Sequence, residues 1–157
     1  MDLKSSWAMK GTRPTINKQF VREYVYIYSS FSPLDGKMDS LILPYMDADN
    51  MQRYLDCISN RYPNEYLLIF MDKAPCHSEG ALKIPENVQI EFIPPYSPEL
   101  NPAENMWDEI KEKFFHNKFF NSINDLMDHM VIAIQKYESS PDIVKRITGW
   151  DWIVHNL

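Results

Sequence analysis

The sequence predicts an α/β domain, and three observations lead there. Apolar runs of strand length occur at 22–31, 40–46, 66–71 and 88–93, and a stretch of helical periodicity separates the second from the third. Two longer helical stretches follow the last strand. The length, 157 residues, suits one domain with a core of its own and is short for two. At 45% hydrophobic and 24% charged, with four glycines, the composition excludes disordered, collagen-like and low-complexity chains.

Each element has a local cause. Arg22 to Phe31, R-E-Y-V-Y-I-Y-S-S-F, is rich in β-branched and aromatic residues, with Tyr24, Tyr26 and Tyr28 alternating against Val25 and Ile27, and reads as a strand. Pro33-Leu34-Asp35-Gly36-Lys37 supplies hairpin-turn residues, and Ser40 to Met46 reads as a second, antiparallel strand. Asp47 is a candidate N-cap for a helix in which Met51, Tyr54, Leu55 and Ile58 fall at i, i+3, i+4 and i+7, ending near Tyr62-Pro63. Tyr66 to Met71, Y-L-L-I-F-M, has the pattern of a strand covered on both faces and stops at Asp72. Val88 to Ile93 is a further strand, ended by Pro94-Pro95 because proline cannot continue a ladder.

The segment Pro94 to Pro102 holds four of the eleven prolines and reads as a stiff, extended loop. Pro102 then opens a helix expected to reach Phe120, with Met106, Trp107, Ile110 and Phe114 at helical spacing. Ser122 caps another, with Ile123, Leu126, Met127, Met130 and Ile134 as its buried stripe. The tail, P-D-I-V-K-R-I-T-G-W-D-W-I, reads as a short helix and a Trp-rich end. Trp107, Trp150 and Trp152 are expected in the core, and residues 1–157 are read as a single domain without repeat or linker.

No apolar run approaches the roughly 20 residues of a membrane-spanning helix. The opening Met-Asp-Leu-Lys-Ser-Ser-Trp has no apolar stretch or cleavage site, so no membrane partner is expected and the cytoplasm is the default location. Cys57 and Cys76 show no C-x-x-C spacing and are expected to be reduced. Net charge is −6, but unevenly spread. Residues 1–22 carry Lys4, Lys10, Arg13, Lys18 and Arg22 against Asp2 alone, a balance of +4 that leaves −10 for the rest.

Two carboxylates stand out by position. Asp72 directly follows the buried strand, at the carboxyl end where ligands gather in open α/β sheets, although an acid there also caps or turns the chain before Pro75. Glu104 lies in the first turn of the Pro102 helix, a position that the helix dipole favours by about 0.3–1 kcal/mol in any case. An acid at a strand end, followed by strand, rigid loop and helix returning a second acid, is a pair suited to a divalent metal. Mg²⁺ takes hard oxygen ligands and is commonly held by one or two carboxylates with substrate phosphate.

The stretch L-L-I-F-M-D-K-A-P-C-H at 67–77, followed by P-P-Y-S-P-E-L-N-P-A-E-N-M-W at 94–107, closely resembles the catalytic domain of mariner-type DDE transposases, in their bacterial insertion-sequence branch. Weaker similarity covers Trp7-x-x-x-Gly11-x-x-Pro14, the strand around Tyr24 to Tyr28, Leu41 to Tyr45, and Ile147 to Trp152, so that nearly the whole chain is included. The resemblance implies an RNase H-like fold, a mixed sheet flanked by helices, and Mg²⁺-dependent cutting and joining of DNA, with Mn²⁺ able to substitute. Water would attack to free a transposon end, and the exposed 3′-hydroxyl would attack target DNA.

By motif, Asp72 corresponds to the family's second catalytic, metal-binding acid and Glu104 to the third. The first acid lies, in the family, on the opening central strand, in an Asp-Glu context upstream of the Trp-x-x-x-Gly segment. Asp2 is the only acid before Trp7 and has no flanking strand pattern, so the first carboxylate and the opening strand are expected to be missing. The family's helix-turn-helix DNA-binding region is expected to be absent too. Two origins fit such a chain: the second reading frame of a frameshifted element, or a truncated remnant. Its partners would be DNA and a polypeptide supplying the first acid, either itself or the upstream reading-frame product. The alternative is a catalytically inactive fragment that binds and modulates full-length transposase. Loss of a central strand predicts a marginally stable or self-associating chain.

Other residues have plain readings beside functional ones. Cys76 and His77 are adjacent, with no orienting acid placed beside them, and His77 reads equally as a surface residue. Asn101 and Asn105 flank Glu104 as orienting or capping residues, and Asp108 reads as part of a solvated face.

Overall fold

The computed structural model describes residues 10–11, 24–72, 82–95, 97 and 100–155. Strands β1 (Tyr26–Phe31) and β2 (Met38–Leu43) form the expected antiparallel hairpin, with Tyr28 opposite Leu41 and Ser29 opposite Ser40. Its turn needs glycine twice over: Gly36 has φ +76°, and a Cβ there would sit 2.0 Å from the Pro141 carbonyl oxygen. β2 begins two residues earlier than expected and ends before Pro44, which cannot extend the ladder, so Tyr45 and Met46 are exposed beyond it.

Helix α1 (Ala48–Arg61) starts where expected, with the Asp47 carboxylate accepting from the Asn50 N–H at 2.8 Å. Its stripe of Met51, Tyr54, Leu55 and Ile58 is buried throughout. Strands β3 (Leu67–Met71) and β4 (Val88–Phe92) pair in parallel, with Leu67 opposite Val88 and Met71 opposite Phe92. Among the described residues the strands form an antiparallel pair and a parallel pair that share one helix. Among the described residues, β1 and β3 do not pair with each other.

Alternation decides which side each strand covers. Tyr26, Tyr28, Leu41 and Leu43 pack on the α1 side, while Ile27, Phe31, Met38 and Ile42 join a second core on the opposite face. Leu67, Ile69, Met71, Val88, Ile90 and Phe92 share the α1 stripe. The other face of β3 stays open, with Leu68 44% and Phe70 52% exposed. The expectation that both faces of β3 are covered is therefore corrected: an apolar run records local composition, whereas coverage depends on helices distant in sequence.

The second core is completed by helices α2 (Pro102–Ile110), α3 (Ile123–Glu138) and α4 (Pro141–Thr148), through Met106, Ile110, Ala133, Ile134, Tyr137 and Val144. α2 does not run on to Phe120. It widens into one π-helical turn over Lys111–Phe115, and Asn117 then takes φ 55°. Phe114, Phe115 and Phe120 gather around His129 of α3, a tertiary contact that turns the chain back. α3 starts at Ser122, whose hydroxyl accepts from the Asp125 N–H at 3.1 Å. Met130 and Ile134 are buried as expected, whereas Ile123, Leu126 and Met127 are only half-buried.

Trp107 packs edge-on against Phe31 at 5.8 Å, and Trp150 is half-buried. Trp152 is not core: short helix α5 (Asp151–Val154) buries Ile153, which turns its neighbour outward to 49% exposure. Among the described residues no helix is long and apolar enough to cross a membrane. Cys57 is a free, exposed thiol.

Candidate metal-binding carboxylates

Parallel pairing brings two chain exits to one end of the sheet. Met71 lies opposite Phe92, and the Ile93 N–H donates to the Met71 carbonyl at 2.9 Å. The chain therefore leaves β4 beside the point at which it leaves β3 for Asp72. From there it turns where the Leu100 N–H donates to the Ser97 carbonyl at 3.0 Å, and enters α2. Asp72 is exposed at the carboxyl end of the strands, the usual ligand end of an open α/β sheet.

The start of α2 is set locally. Asn101 is its N-cap: Oδ1 accepts from the Ala103 N–H at 3.1 Å, and its carbonyl accepts from the Glu104 N–H at 3.2 Å. Pro102, at the first helical position, has no N–H to leave unsatisfied. Met106 and Ile110 anchor the helix in the core and lie on the face opposite Glu104, which is exposed together with Asn105 and Asp108. Asp108 bridges to Lys111 at 3.5 Å on the solvated face, as expected.

Asp72, directly after β3, and Glu104, in the first turn of α2, are exposed carboxylates that offer hard oxygen donors. Such a donor set fits a divalent cation held by one or two protein carboxylates and completed by water and substrate phosphate. Among the described residues no three His, Cys, Asp or Glu side chains gather to hold a metal. Lys10 is exposed. Asp2, Trp7, Arg13, Pro14, Lys18, Arg22, Cys76, His77, Tyr96, Pro98 and Glu99 lie outside the described residues.

A second polar cluster is one that sequence reasoning missed. Asp39, buried within β2, pairs with Arg61 and accepts from the Tyr62 hydroxyl at 2.8 Å, and its backbone carbonyl accepts from the Tyr54 hydroxyl at 3.1 Å. Burial and the Asp39 hydrogen bond push the Tyr62 hydroxyl up to about 12, and burial raises Tyr54 as well. The available signal was an acid inside the apolar strand M-D-S-L-I-L.

A family model described as DDE superfamily endonuclease matches residues 1–127, and the chain belongs to that family. An uncharacterized protein, y4pE/y4sA of Sinorhizobium fredii (strain NBRC 101917 / NGR234), is 32% identical over 130 residues, covering 82% of this chain and 96% of the relative. Among solved structures, the Mos1 transposase paired-end complex with left transposon end matches 93% of this chain, with a TM-score of 0.55 at 16% identity. The chain spans 50% of the length of that Mos1 chain. Its fold is the RNase H-like fold of mariner-type DDE transposases, as its motifs imply.

Proposed function

We propose that this chain serves DNA transposition as a transposase catalytic domain, with Asp72 and Glu104 as its second and third metal-binding acids and transposon ends and target DNA as substrates. The observation that carries this reading is the shared exit of β3 and β4. It begins the path from Asp72 to the P-P-Y-S-P-E-L-N-P-x-E segment at the ligand end of the sheet. Glu104 is held in α2 and Asp72 directly follows β3, and their exposure leaves room for phosphate oxygens. Mg²⁺, or Mn²⁺ in its place, would supply activation of the attacking oxygen and stabilisation of the leaving one. With −10 of charge beyond residue 22, attraction of DNA falls to the basic residues among 1–22. We assign the protein to the cytoplasm, where insertion-sequence DNA is met.

The first acid, on this reading, lies on a strand that completes the sheet between β1 and β3. A second reading is a catalytically inactive chain that docks on transposase and modulates it.

A Mn²⁺ titration by calorimetry on the purified chain, beside Asp72→Asn and Glu104→Gln, tests the catalytic reading. Saturable binding that both substitutions weaken is expected. No binding in a demonstrably folded parent overturns the reading and leaves the modulator.

A further inference from the structure

We propose that Asp39, Arg61 and Tyr62 form a clasp that sets the half of the molecule bearing Asp72 in place against the half bearing Glu104. The three are then positioning residues for the proposed carboxylate pair, and in that functional sense the inference rests on the reading above.

The halves are defined by their bonds. β3 and β4 are tied to α1 by packing of Met71 and Val88 against its stripe, and by two side chains. Asn87 donates to the carbonyls of Tyr62 at 2.9 Å and Glu65 at 3.2 Å and accepts from the Ser59 hydroxyl at 2.6 Å. Gln52 accepts from the Lys83 N–H at 2.6 Å and donates to the Lys83 carbonyl at 2.8 Å. Asp72 therefore travels with α1. Glu104 travels with the hairpin instead, because Met106 and Ile110 of α2 pack with Met38 of β2 and with α3 and α4.

Between the halves there is no ladder among the described residues. They meet at the α1 stripe, over Tyr28, Leu41 and Leu43. They meet also at the start of α1, where the Tyr28 hydroxyl accepts from the Asp47 N–H at 3.2 Å and Asn50 donates to the Tyr45 carbonyl at 3.2 Å. At the other end of α1 they meet at the Asp39 cluster. Apolar packing is non-directional and tolerates sliding. A carboxylate with two convergent partners, Arg61 and Tyr62, does not, because each bond fixes a distance and an angle. Asp39 is 6% exposed and needs its partners, whereas Arg61 reaches in from the rim. Lys37 extends the clasp from the hairpin, 3.3 Å from Glu65 and 5.0 Å from the centre of the Tyr62 ring. The cluster thus joins β2 to the end of α1, which is also the end that Asn87 holds to β4.

The test measures geometry without metal. In the full chain with Cys57→Ser and Cys76→Ser, spin labels on Gln89→Cys of β4 and Asp108→Cys of α2 report the distance between halves. One narrow distance is expected in the parent. Asp39→Asn should broaden it about twofold, with helical circular dichroism retained, and Tyr62→Phe, which deletes only a hydroxyl, should broaden it less. An unchanged distribution in both variants, or an equally broad one in the parent, overturns the clasp. In the unlabelled chain, Asp39→Asn should weaken Mn²⁺ binding about tenfold, and not further in a Glu104→Gln background, since coupled residues act non-additively. A narrow parent distance without Mn²⁺ binding sinks the metal reading and leaves the clasp standing.

Discussion

Glu138, near the end of α3, shows how one side chain records its surroundings. Burial raises its carboxyl above the usual range; Arg61 and the Ser40 N–H pull it down, and Asp39 pushes it up again. The folded chain thus binds this proton more tightly than the unfolded one, so the contribution favours folding in acid and is lost as pH rises from the unfolded value through the folded one. Glu138→Gln is expected to raise the melting midpoint at pH 7.5 and to leave it nearly unchanged near pH 4, measured by calorimetry. An equal shift at both pH values would contradict the burial account. At this scale, residues with local partners were legible: Asp47 and Ser122 bond within three residues along the chain. Asp39 was not, because Arg61 and Tyr62 lie 22 and 23 residues away.

Among the elements, α2 matters most to the proposed site, since it presents Glu104. Its start depends on one side-chain bond at Asn101, and Asn101→Ala is expected to cost about 0.5–2 kcal/mol by urea denaturation, with Asn101→Ser restoring most of it. Equal stability of the alanine variant would remove the cap from the account. The start of this helix was readable from Pro102 and its polar predecessor. Its end was not, because periodicity continues to Phe120 while contacts with His129 turn the chain at the π-helical segment. β2 shows the reverse case, in which Pro44 carried the correct stop and the apolar Tyr45 and Met46 concealed it.

In the whole molecule, two strand pairs depend on one shared helix. A two-stranded sheet is marginal by itself, and here neither pair extends the other among the described residues. The purified chain is therefore expected to self-associate in a concentration series by sedimentation velocity, or to melt at low temperature. A monomer with a high melting temperature would contradict this. By itself the sequence determined the α/β class, the family, the caps and the two candidate acids, because these reside in periodicity, single hydrogen-bonding side chains and one long motif. Only the tertiary structure decided that β3 is covered on one face, that the described strands form two pairs, and that Asp39 bridges to α1. Each of these depends on which distant surfaces meet, and local pattern does not encode that.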